Sequence, residues 1–281
     1  MYPLLVADVG GTNVRFAICT DWQNCPDALT HQRTFRCSEF LNFESALEAF
    51  RASLLNTLPT HACIAIAGPI VGDLLMLTNL KWHFSTALIK KRFGFNSLNI
   101  INDFEAQAYA TTLLTSEQIH VIRPGISMRT APRAIIGPGT GLGIAGLNPT
   151  ERGWQACPGE GGHMSFAPVS DQELAIFSLL RRRYEHISLE HLLSGPGLIN
   201  IYQSVVELEN KTVECLSTEQ IIQQAQISTH SLCRRTVNLF LDLLALAAGD
   251  IALVFGAKGG VYFGGGLIEH LAAFIDNDQF S

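Results

Sequence analysis

Two glycine-rich junctions, each set between β-rich runs, constrain the fold of this chain more than any other feature. Asp8-Val9-Gly10-Gly11-Thr12-Asn13 joins a run at residues 4–9 to one at 14–19, and Gly137-Pro138-Gly139-Thr140-Gly141 joins 133–136 to 142–147. Both junctions are of hairpin type. Their recurrence suggests a diverged internal duplication, and 281 residues exceed what one core usually organises.

Around the first junction, further strands are expected at 33–37, 62–67, 74–77 and 98–101. Helices are expected at 43–55, at 85–93 with Ser85 near its N-cap, and at 104–114. After the second junction the pattern turns mostly helical, with candidates at 171–184, 197–209, 218–226 and 230–248, followed by a strand at 260–263 and the turn Gly264-Gly265-Gly266. This alternation predicts an α/β protein with a mixed sheet covered by helices, and domains spanning 1–105 and 106–281.

The net charge of −6, with only the short basic runs Lys90-Lys91-Arg92 and Arg181-Arg182-Arg183, argues against a nucleic-acid partner. Seven scattered cysteines, none in a C-x-x-C pair, read as reduced thiols. Residues 1–7 lack a basic leader and run into Asp8 as a strand, and no apolar run is expected to reach membrane-spanning length. A cytoplasmic protein with no membrane partner is the expectation.

Asp8 stands at a strand end, before glycines whose backbone can approach an anion and before the small polar Thr12 and Asn13. That combination suits a nucleotide phosphate with its Mg²⁺, although a plain hairpin would use the same glycines. Thr140, between Gly139 and Gly141, makes the second junction another phosphate-cradle candidate. Gly264, Gly265 and Gly266 present backbone that can lie against adenine or ribose, or simply lead into a helix. Asn102 and Asp103 follow the strand at 98–101, at the kind of sheet edge where ligands bind. Asp103 is a candidate base for an attacking sugar hydroxyl and Asn102 a candidate sugar ligand, with an N-cap for a helix beginning at Phe104 as the structural alternative. Glu160 and His163, in Pro158-Gly159-Glu160-Gly161-Gly162-His163, can grip vicinal hydroxyls. A zinc site would need more ligands than Cys157 nearby can supply.

These motifs carry a likeness. Asp8 to Asn13, Ile100 to Phe104, Gly137 to Gly143, Pro158 to His163 and Leu193 to Leu198 occur in the order seen in bacterial glucokinases, and the chain resembles that family over almost its whole length. The resemblance implies a two-domain, actin-like ATPase fold of the hexokinase and ribonuclease H kind, with ligands in a cleft between domains. It implies ATP-dependent phosphorylation of glucose at the 6-hydroxyl, with Mg²⁺ on Asp8 through water. Asp103 becomes the catalytic base, and Asn102, Asp103, Glu160, His163 and Glu190 the sugar ligands. The nucleotide falls to Asp8, Val9, Gly10, Gly11, Thr12 and Asn13, to Gly139, Thr140 and Gly141, and to Gly264, Gly265 and Gly266. A homodimer is compatible with the resemblance. Another hexose or an amino sugar remains an alternative substrate. The chain stops at Ser281, several tens of residues before the resemblance would end it, so an impaired sugar-binding protein of the same fold is also open.

Overall fold

The computed structural model describes residues 3–25, 27–54, 57–68, 70–77 and 82–275. Met1, Tyr2, Leu55 and Ser281, on which parts of the expectations fall, lie outside them. Contacts divide the chain into two compact units, Met1–Leu113 and Leu114–Ser281.

In the first unit, β1 (Leu4–Val9) turns Leu5, Ala7 and Val9 into the core and pairs antiparallel with β2 (Asn13–Cys19), which pairs antiparallel with β3 (Leu29–Arg36). Helix α1 (Phe43–Ala52) starts in a capping box made by Asn42 and Ser45 and buries Phe43, Ala46, Leu47 and Phe50 at helical spacing. Then follow β4 (His61–Ile66), the short pair β5 (Leu74–Met76) and β6 (His83–Ser85), α2 (Thr86–Phe93) with Ser85 as its N-cap, β7 (Ser97–Asn102) and α3 (Asp103–Ala110). The main sheet runs β3-β2-β1-β4-β7, with β4 parallel to both β1 and β7. Phe50 stacks on Phe16 at 5.0 Å and Phe43 on Phe84 at 4.8 Å, which locks α1 and β6 to the sheet. Such pairs add about 0.5–1.5 kcal/mol beyond the area they bury.

The second unit opens with β8 (Arg133–Pro138), β9 (Leu142–Thr150) and β10 (Gly153–Gly159), a meander in the order β10-β9-β8. After α4 (Asp171–Leu180), α5 (Gly195–Leu208), α6 (Thr218–Ile227) and α7 (Leu232–Phe255), strand β11 (Val261–Phe263) returns parallel to β8, and α8 (Gly266–Leu271) follows. Both sheets thus show one succession, an antiparallel meander whose first strand is flanked by a parallel strand.

Two expectations need correction. Strand β10 falls outside the expected elements: it is an edge strand whose alternation is limited to the partly buried Trp154 and Ala156, and an edge position tolerates Pro158. Helix α7 runs to Phe255, past Gly249-Asp250, and its 24 residues, with a mean hydropathy of 1.9 over an 18-residue stretch, make it, among the described residues, long and apolar enough to cross a membrane. Here it is a core helix, with Val237, Phe240, Leu241 and Leu244 fully buried in the cluster it shares with α5 and α6.

Candidate active site

The first glycine loop closes with a Gly10 N–H to Asn13 O bond of 3.0 Å. It is braced from behind by Cys37, whose N–H donates to Thr12 O (2.8 Å) and whose buried thiol donates to Gly10 O (3.5 Å). Burial raises the Cys37 pKa, which keeps the sulfur protonated as a donor. Among the described residues the N–H groups of Gly11 and Thr12 find no partner, so the loop presents two backbone donors to an anion. Asp8, on the face of β1 opposite the core, pairs across the hairpin with Arg15 at 2.7 Å. Arg15 was not singled out from sequence, although the register of a tight hairpin makes it the cross-strand partner of Asp8.

At the end of β7, Asn102 rather than Asp103 caps the following helix. Its Oδ1 accepts from Phe104 N (2.9 Å) and Glu105 N (3.3 Å), and Glu105 answers at the Asn102 N–H. One amide hydrogen of Asn102 goes to Gly68 O (3.2 Å). Asp103 is therefore the first residue of α3, and the Phe104 N–H donates to its Oδ1 at 3.0 Å, which sets the rotation of the carboxylate.

In the second unit the loop Gly139-Thr140-Gly141 repeats this chemistry. Gly139 N–H donates to Gly141 O (2.8 Å), Gly195 N–H at the start of α5 donates to Gly139 O (2.8 Å), and the N–H groups of Thr140 and Gly141 have no partner among the described residues. Glu160 and His163 are exposed at the two ends of a tight turn, Gly161–His163, that follows β10. Pro158 and Gly159 thus belong to a strand, and only the residues after them form the loop. Gly162 is buried against β9, where a Cβ would collide with the Leu142 carbonyl. Glu190 lies in the turn Leu189–His191, and its Oε2 accepts from the Leu142 N–H at 2.8 Å. The last glycine loop packs on the same place: Gly264 N–H donates to Ile136 O (2.9 Å), and a Cβ on Gly265 would sit 2.5 Å from Pro138 O.

Beside that loop, a groove of about 390 Å³ lies between α6 and α8, lined by Thr218, Ile222, Gln223, Leu267 and His270 among others. Most of its exposed lining surface is apolar, with Ile222 and Leu267 beside the polar Thr218, Gln223 and His270. None of these residues was selected from sequence. They sit on two helices distant in the chain, and only folding brings them together.

Several solved structures share the whole architecture. The glucokinase of an Antarctic psychrotroph aligns with a TM-score of 0.89 at 36% identity, over 100% of this chain and 89% of that one. At 15% identity, a ROK family glucokinase from Streptomyces griseus, in complex with glucose and AMPPNP, shares the fold with a TM-score of 0.63 over 99% of this chain and 88% of that one. The paired sheets with their glycine loops are the actin-like ATPase fold in the two-domain form found in sugar kinases. A family model described as Glucokinase matches residues 5–281, and a glucokinase of Saccharophagus degradans is 37% identical over 280 residues, covering 100% of this chain and 87% of that protein. The chain belongs to the glucokinase family.

Proposed function

We propose that this protein transfers the γ-phosphoryl group of ATP to the 6-hydroxyl of glucose, giving glucose 6-phosphate and ADP. Family membership supports the reaction. The observation that carries the residue assignment is the placing of Asn102 and Asp103 side by side where parallel strand β7 ends in the N-terminus of α3. Asp103 accepts the proton of the 6-hydroxyl as that oxygen bonds to the γ-phosphorus and the bond from phosphorus to the bridging oxygen breaks. Asn102, already held as a cap, offers its remaining amide hydrogen to the sugar. Glu160, His163 and Glu190 take its other hydroxyls through carboxylate and imidazole hydrogen bonds.

The open N–H groups of Gly11 and Thr12 in one loop, and of Thr140 and Gly141 in the other, suit phosphate oxygens. The groove between α6 and α8 suits the adenine, with Gly264 to Gly266 under the adenosine. Asp8, about half exposed, is a hard oxygen donor, and no cluster of three metal-ligating side chains occurs among the described residues. One carboxylate with water and phosphate oxygens is the donor set Mg²⁺ prefers, so Asp8 fits a water-bridged Mg²⁺. Bound there, the ion would neutralise charge on the phosphates. Arg15 holds the same carboxylate and must share it.

The reading extends to a cytoplasmic homodimer, which light scattering on the purified protein tests. The reaction is tested by coupling ADP release to an indicator across a panel of hexoses and amino sugars. Glucose should give the highest kcat/KM. A different sugar in first place would reassign the substrate, and no ATP-dependent turnover of any sugar would overturn the function.

A further inference from the structure

We propose that Glu190 positions the second glycine loop for the nucleotide, in addition to its role toward the sugar. The inference rests on the reading of Gly139 to Gly141 as a phosphate loop. Its basis is one shared peptide group. Leu142 is the residue at which that loop becomes β9, and its N–H is taken by Glu190 Oε2 at 2.8 Å while Gly162 of the sugar loop packs against its carbonyl. The carboxylate stands close against the loop: a Cβ on Gly141 would lie 2.5 Å from the same oxygen. A glycine is needed there because the glutamate occupies the space.

Glu190 can act as a fixed post because its own turn is tied down on several sides. Leu189 N–H donates to Met164 O (2.9 Å), Ser194 Oγ donates to Glu190 O (2.7 Å), and Asn200 Nδ2 donates to His191 O (2.9 Å). The His191 ring stacks on Tyr184 at 4.1 Å, and its Nδ1 accepts from Ser188 N at 3.1 Å. From the loop the connection continues through Gly139 O to Gly195 N, and from Gly195 O to Thr218 Oγ1 (2.9 Å), which lines the groove between α6 and α8. Sugar ligand, phosphate loop and groove are joined by consecutive hydrogen bonds within one unit. With Leu142 N–H bound, the loop keeps the N–H groups of Thr140 and Gly141 turned outward before any sugar arrives.

A negative charge beside a phosphate loop also repels the nucleotide, so the charge must be separated from the hydrogen bond. Glu190→Gln and Glu190→Ala both remove the charge, but only glutamine can still accept from Leu142 N–H. Titration calorimetry of sugar-free protein with ADP and Mg²⁺ should show Glu190→Ala binding about three- to tenfold more weakly than Glu190→Gln, the span expected for one neutral hydrogen bond. Glu190→Met, which keeps the length of the side chain but cannot accept from Leu142 N–H, should bind ADP as weakly as Glu190→Ala, and this variant decides if Glu190→Ala does not fold. Equal ADP affinity for Glu190→Gln and Glu190→Ala, the affinity of Glu190→Gln in Glu190→Met, or no ADP binding by the sugar-free native protein would each overturn the proposal. Glucose titrations of the same Glu190 variants form a separate arm. Unchanged glucose affinity there removes Glu190 from the sugar ligands and leaves the nucleotide comparison to stand or fall alone.

Discussion

Because Asn102 closes the capping box of α3, replacing its neighbour Asp103 probes chemistry at little cost to the helix. Asp103→Asn should lower kcat by about a hundred- to ten-thousand-fold, the usual contribution of a general base, while glucose Kd from calorimetry stays within about threefold. Near-normal turnover would send the search for the base elsewhere. A second residue-level test concerns His191, whose pKa is lowered by burial against a smaller opposing pull from Glu190. A histidine held below its unfolded value near 6.5 favours the neutral form in the folded state, so the folded protein binds fewer protons than the unfolded chain as the pH falls past that value. Its contribution to stability is present above that value and is lost on acidification. Tm should therefore drop between about pH 7.5 and pH 5.5, and His191→Asn should flatten part of that slope. A slope identical in the two proteins would remove His191 as its cause. At this scale the sequence was most readable where chemistry is local: each glycine loop is one short run. Arg15 and Cys37 carry no such local mark, because they reach the first loop only through strand pairing and a chain reversal.

Among the elements, the seating of the sugar loop on β9 is open to test. Gly162→Ala would drive a methyl group into backbone, where no rotamer change can relieve the contact. Overpacking of this kind costs about 1–3 kcal/mol, or roughly 2–10 °C in Tm for a protein of this size. Thermal denaturation and glucose affinity should both worsen, and a variant with native values of both would show that the loop is not packed there. Most helices and strands were legible because their apolar spacing meets a core: the expected helix at 43–55 is α1, and Ser85 caps α2 as its position suggested. β10 was illegible for the converse reason. An edge strand with only Trp154 and Ala156 partly buried offers too short a hydrophobic period to read, and its register comes from β9 alone. The bond from Glu190 to Leu142 spans 48 residues and belongs to no repeating pattern, so nothing local announces it.

For the molecule as a whole, the segment that opens the second unit is a long exposed stretch. Residues 114–130 are almost entirely exposed and hold little regular structure, which is where proteases cut folded proteins first. Brief trypsin treatment should cleave after Arg129 and give fragments 1–129 and 130–281, identifiable by intact mass, since Arg123 precedes Pro124 and resists the enzyme. Earlier cleavage elsewhere in the chain would show that this segment is protected. The suspicion of duplication, raised by two similar glycine junctions, now has a counterpart in the two sheets' common strand order, which no short motif could have revealed.

The pairing of β11 with β8 sets a schedule for synthesis on the ribosome. Every strand of the first sheet lies between Leu4 and Asn102, so that unit has all its partners once its own residues have emerged. The second sheet waits for Val261, which lies beside Ala134, so β8 to β10, α4 and α5 emerge before the strand that completes their sheet is made. At some 5–20 residues per second the unfinished half stays exposed for several seconds. Synonymous changes that slow translation between α5 and β11 should therefore lower soluble yield without altering the finished enzyme.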